Sequence, residues 1–95
     1  MATEILEKPK TSQERKHAPK YKVLLHNDDH NTMEYVVECL MKVVPSLSWV
    51  EAVNIMLEAH NTGVALVIVC PLEPAEFYCE GLRRKGLTST IEPEC

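Results

Sequence analysis

No CxxC pair, no regular cysteine spacing and no excess of positive charge occur in this sequence. The four cysteines, Cys39, Cys70, Cys79 and Cys95, lack the framework of a stapled secreted module; Cys39, Cys70 and Cys79 read as small core hydrophobes and Cys95 as a tail thiol, in a reducing compartment. A formal net charge of -4 argues against nucleic acid as the main partner, because phosphate binding is driven chiefly by Lys and Arg. No window approaches the roughly 18 apolar residues a membrane span requires. The opening stretch MATEILEKPK has no apolar signal core, so a cytoplasmic protein is expected.

What is present suits one small folded domain: 45% hydrophobic and 25% charged residues over 95 positions, too few to enclose a large active site. Charge is unevenly spread. Residues 1–20 hold five Lys or Arg against three Glu, while residues 21–95 hold five against eleven acidic groups. The first twenty residues also have few apolar side chains and two prolines, and cannot bury enough surface to offset chain entropy. They are expected to form a flexible extension, with a folded domain over 21–95.

Hydrophobic periodicity predicts the elements of that domain. Alternation from Tyr21 puts Tyr21, Val23 and Leu25 on one face of a strand. Asn31 with Glu34 gives a capping-box-like start to a helix carrying Met33, Val36, Val37, Leu40 and Val44, stopped by Pro45. Ser48 with Glu51 starts a second helix, with Trp49, Ala52, Val53, Met56, Leu57 and His60 on its inward stripe and Gly63 as its stop. The apolar, largely β-branched run Val64–Cys70 reads as a central strand buried on both faces. A third helix begins near Pro74 and turns Ala75, Tyr78, Cys79 and Leu82 inward, with Gly81 an internal weakness; LTSTIE then forms an edge strand. The expected fold is an α/β (α+β) sandwich in the order strand, helix, helix, strand, helix, strand, with three helices packed on a small three-stranded sheet.

Between the first strand and first helix lies the polar string HNDDHNT, residues 26–32. Such a string is the ordinary chemistry of a turn, since Asn and Asp bond their own backbone. It also offers acceptors for a cation. If the two helices form an antiparallel hairpin, the end of the second brings His60 back toward Asn27 and Asp28. An amide oxygen, a carboxylate and an imidazole nitrogen suit an ammonium group with three donors. Met33, Val36, Met56 and Ala59 would line the neighbouring space, and two adaptable thioethers suit a pocket for large apolar side chains, although each could equally be plain core. Together they describe what recognition of a free protein N-terminus would need.

Enzymatic readings rank lower. Asp28, Asp29, His26, His30 and His60 could ligate zinc in a metal-dependent hydrolase, but neither a helical HxxxH nor a Cys/His framework is present. No Ser or Cys stands in a nucleophile motif such as GxSxG. No metal or cofactor is therefore expected.

The runs YKVLLHNDDHNTMEYVV and EAVNIMLEAHNTGVALV resemble the ClpS family, small adaptors that deliver N-degron substrates to a Clp AAA+ unfoldase and its peptidase. The resemblance spans residues 21–92 and implies an adaptor, not a protease. It implies that Asn27, Asp28 and His60 hold the substrate's α-amino group and first peptide unit, that Asp29 completes the NDD motif and shapes the turn, and that Met33 gates a pocket lined by Val36, Met56 and Ala59. Implied ligands are N-terminal Phe, Tyr, Trp or Leu. Glu73 and Glu76 match the family's surface for docking the unfoldase N-terminal domain, and the extension matches its hand-off segment. The chain departs from the family in NDDHNTME, where Asn31 and Thr32 stand for a Thr and a Pro near the pocket, in a longer VVPSLSW link, and in Ala59 where a Val is often found. These changes spare amino-group capture and bear on side-chain preference. The overall look is cyanobacterial or plastid, which implies ClpC rather than ClpA as the unfoldase, with the adaptor acting as a monomer. A ClpS-like domain that redirects the unfoldase without reading N-termini remains an alternative.

Overall fold

The computed structural model describes residues 19–94. Most of the expected extension, and Cys95, lie outside that range. Six elements follow in the expected order: β1 (Lys20–His26), α1 (Met33–Val43), α2 (Trp49–Thr62), β2 (Val64–Pro71), α3 (Leu72–Arg84) and β3 (Thr88–Pro93).

The sheet is antiparallel with spatial order β2-β1-β3, so β1 is its centre. The run Val64–Cys70 therefore forms an edge strand, not the central one its composition suggested. Only alternate residues are covered: Ala65 and Val67 are buried whereas Val64 and Leu66 are exposed. The helices all pack to one side, α2 and α3 directly on strands and α1 across α2 and α3. A strand in a sheet covered on one face can bury one face only.

Val23 and Leu25 of β1, Leu40 and Val44 around the end of α1, Ala52, Ile55, Met56 and Ala59 of α2, and Ala75, Cys79 and Leu82 of α3 form the core. On α2 the buried stripe is rotated from the expected one. Trp49, Leu57 and His60 face outward, and Ile55 and Ala59 take the inward positions.

Helix ends explain the site's frame. α2 starts with a reciprocal capping box, Glu51 N–H donating to Ser48 Oγ at 3.1 Å and Ser48 N–H to Glu51 Oε1 at 2.8 Å. It ends at Gly63, whose φ of 96° is open to glycine at little cost. α1 is capped one residue later than expected: Thr32 Oγ1 accepts from Tyr35 N–H at 3.1 Å, because the Asn31 side chain is engaged elsewhere. α3 starts two residues before Pro74. Its Gly81 lies against α1, where an added Cβ would come within 2.9 Å of Val43 Cγ1, so this glycine permits close helix approach.

Candidate functional site

The three chain segments that build the site meet because of the pairing at one end of the sheet. His26 of β1 faces Val64 of β2, and Asn27 N–H donates to the Gly63 carbonyl at 3.0 Å. That bond ties the end of β1 to the end of α2, one turn from His60. A small cavity of about 40 Å³ opens there, lined by Leu25, His26, Asn27 and Asp28 from the end of β1, Asn31, Met33 and Val36 from the start of α1, and Met56, Ala59 and His60 from the end of α2.

Asp28 is fixed before any ligand arrives. His30 N–H and Asn31 N–H each donate to its Oδ1 at 2.9 Å, and the Asn31 side-chain amide reaches Oδ1 at 3.3 Å and Oδ2 at 3.2 Å. Partial burial pushes the Asp28 carboxyl up, but the bonds from the Asn31 and His30 backbone, the Asn31 amide and the nearby His30 imidazole outweigh it and hold the group below the usual carboxylate range. Oδ1 is crowded and Oδ2 is the freer acceptor, so the anion keeps capacity for a further donor.

Asn31 Nδ2 also donates to the Gly86 carbonyl at 3.1 Å, and Tyr35 Oη donates to the Lys85 carbonyl at 2.7 Å. The start of α1 is thereby clamped to the turn after α3. This role of Asn31 had no sequence signal beyond an amide three residues after an aspartate. His26, also unassigned from sequence as lining, pairs its Nε2 with Thr90 Oγ1 at 2.8 Å.

Asn27 and His60 are exposed, as is Asp29, which does not line the cavity. The turn bonds expected of Asp29 are made by Asp28. Among the described residues no lysine or arginine lines the cavity beside the Asp28 carboxylate. Among the described residues no group of three or more His, Cys, Asp or Glu is arranged to hold a metal ion. Glu73 and Glu76 lie elsewhere, on the exposed first turns of α3, beside Phe77, Glu80, Gly81 and Arg84.

A family model described as ATP-dependent Clp protease adaptor protein ClpS matches residues 16–90. The chain belongs to the ClpS family. Its similarity to a ClpS adapter from Synechococcus elongatus is 61% identity over 94 residues, 99% of each chain. The chloroplastic adapter CLPS1 of Chlamydomonas reinhardtii is 54% identical over 97 residues, which is 94% of this chain and 60% of that protein. Among solved structures, Agrobacterium tumefaciens ClpS2 bound to L-phenylalaninamide shares the fold with a TM-score of 0.74 and 34% identity, over 82% of this chain and all of that one. As a ClpS chain the protein is an adaptor of the ATP-dependent Clp protease and not an enzyme. No helix among the described residues is long and apolar enough to cross a membrane.

Proposed function

We propose that this adaptor reads free N-termini that begin with a bulky apolar residue and delivers their bearers to a Clp unfoldase. The observation that carries the reading is one cavity whose rim holds three acceptors, Asn27, Asp28 and His60, and whose wall holds Met33, Val36, Met56 and Ala59. An α-ammonium has three donors and one charge. The Asn27 side-chain amide oxygen, Asp28 Oδ2 and a His60 ring nitrogen offer three acceptors, with the charge answered by Asp28. The first side chain enters between the methionines. The ClpS2 relative solved with L-phenylalaninamide supports this, since that ligand combines a free amine with an aromatic side chain.

Two requirements act together. Removing a Phe side chain from water is worth ~1.5–3 kcal/mol, and three charge-assisted hydrogen bonds ~4.5–9 kcal/mol together. Micromolar affinity needs about 8 kcal/mol net after association has cost at least ~4 kcal/mol, so neither contribution suffices alone. Glu73 and Glu76 serve as the docking surface for the unfoldase N-terminal domain. The cyanobacterial and chloroplastic relatives support ClpC as the partner and the cytoplasm or stroma as its place.

Fluorescence anisotropy with a peptide beginning in Phe and its N-acetylated twin tests the reading. At least tenfold weaker binding of the acetylated peptide is expected. Equal affinity for the two would overturn N-terminus recognition and leave an adaptor that redirects the unfoldase by docking alone.

A further inference from the structure

The cavity that would receive the first side chain is about 40 Å³, whereas an apolar cavity of ~150 Å³ is known to hold benzene. Something in the wall must therefore move before an aromatic ring can enter. Most of the wall cannot. Leu25 and Ala59 are buried in the core, and Val36 carries a β-branched side chain with a restricted first torsion. His26, Asp28 and Asn31 are held by hydrogen bonds to Thr90, to the turn backbone and to Gly86. Asn27 and His60 belong to the amine site. Met33, 43% exposed, and Met56, at the margin of the core at 9%, remain: both are unbranched, adaptable and free of polar partners.

These two methionines have space behind them. On their far side, between α1 and α2, runs a second groove of about 460 Å³, lined by Met33, Val37, Met41, Trp49, Val53 and Met56 and edged by Glu34 and Glu38. Met33 and Met56 line both spaces, so these two residues stand between cavity and groove. Trp49, 62% exposed at the start of α2, is the large side chain at the groove's outer edge. We propose that this groove is the recoil space of the pocket: a large first side chain displaces Met33 and Met56 into it, and Val53, Met41 and Trp49 set the largest residue accepted. The proposal rests on the reading of the cavity as the N-terminal side-chain pocket.

It makes specificity depend on residues that never touch the ligand. Val53→Phe narrows the groove beside Met56, and its effect should grow with ligand size. Anisotropy with peptides beginning in Trp, Phe and Leu is expected to show at least tenfold weaker binding for Trp, an intermediate loss for Phe and less than threefold for Leu. Trp:Phe:Leu affinity ratios that stay within twofold of the parent's overturn the proposal while leaving N-terminus recognition standing. A second measurement needs no substitution. With ¹³C-methyl-labelled methionine, adding the Phe peptide should shift the Met33 or Met56 methyl resonance and strengthen its nuclear Overhauser contacts to Val53 or to the Trp49 ring. Saturating binding that leaves both methyl resonances and those contacts unchanged overturns it. If the unsubstituted protein fails to distinguish free from acetylated Phe peptides, the cavity is no reader and the recoil proposal falls with that reading.

Discussion

Asp28 accepts four hydrogen bonds from His30 and Asn31, and both its orientation and its charge depend on them. Replacing Asn31 by Ala removes the side-chain bonds to Asp28 and to the Gly86 carbonyl, and should weaken Phe-peptide binding three- to tenfold although Asn31 carries no charge; Asp29→Ala, outside the cavity, should change it less than twofold. The same affinity should survive mild acid. The Asp28 carboxyl is held below the usual carboxylate range in the ligand-free fold, so it stays an anion, and keeps its part in binding, until pH falls below about 4. His60→Asn, which keeps an acceptor, should weaken Phe-peptide binding less than His60→Ala, which removes it. Equal losses in the two variants would remove His60 from the amine site. The candidate rim was legible because Asn27, Asp28 and Asp29 are consecutive and His60 stands at a fixed distance from a glycine stop. The brace was not, because Asn31 and Gly86 lie 55 residues apart and nothing local marks their bond.

The elements show where periodicity suffices and where packing overrides it. Both helix-start chemistry and the glycine stop of α2 were readable because a capping box is a local pattern, satisfied within four residues. Ser48→Ala should cost about 0.5–2 kcal/mol in urea unfolding. The inward stripe of α2 was misplaced by one position because Trp49 and Leu57 count as hydrophobic wherever they face, and the face is chosen by what α1 and β2 present. The centrality of β2 was misread likewise, since a continuous apolar run does not reveal that every helix lies on one side. Gly81 reads in sequence as a weak point worth about 1 kcal/mol to correct with Ala. The 2.9 Å approach to Val43 Cγ1 reverses that sign. Gly81→Ala should lower stability, by an amount on the order of the 1–3 kcal/mol of core overpacking, and Gly81→Ala with Val43→Ala should recover part of the loss.

Across the whole molecule, the cavity belongs to no single element: it exists only when β1, α1 and α2 are docked, so it should melt with the fold. A Phe peptide at a hundred times its Kd should then stabilise the protein by about 2.7 kcal/mol, a rise in Tm on the order of 10 °C for a domain of this size. The proposed docking and reading sites should be separable, because β2 begins beside the cavity at Val64 and ends at Pro71, just before Glu73, on the order of 20 Å away. Glu73→Lys with Glu76→Lys should abolish co-purification with the unfoldase while leaving peptide affinity within twofold. The antiparallel register has one more consequence. Lys20 pairs with Pro71, Tyr21 with Pro93, and Glu94 N–H donates to the Lys20 carbonyl at 2.8 Å, so the two ends of the described chain lie side by side at the end of the sheet remote from the cavity. A few residues of linker could join position 94 to position 20 into a closed ring, with new ends cut in the link between α1 and α2. Such a circular permutant would keep every wall of the cavity in place, and anchoring the protein to a surface through position 20 or position 94 would leave the cavity pointing away from the support.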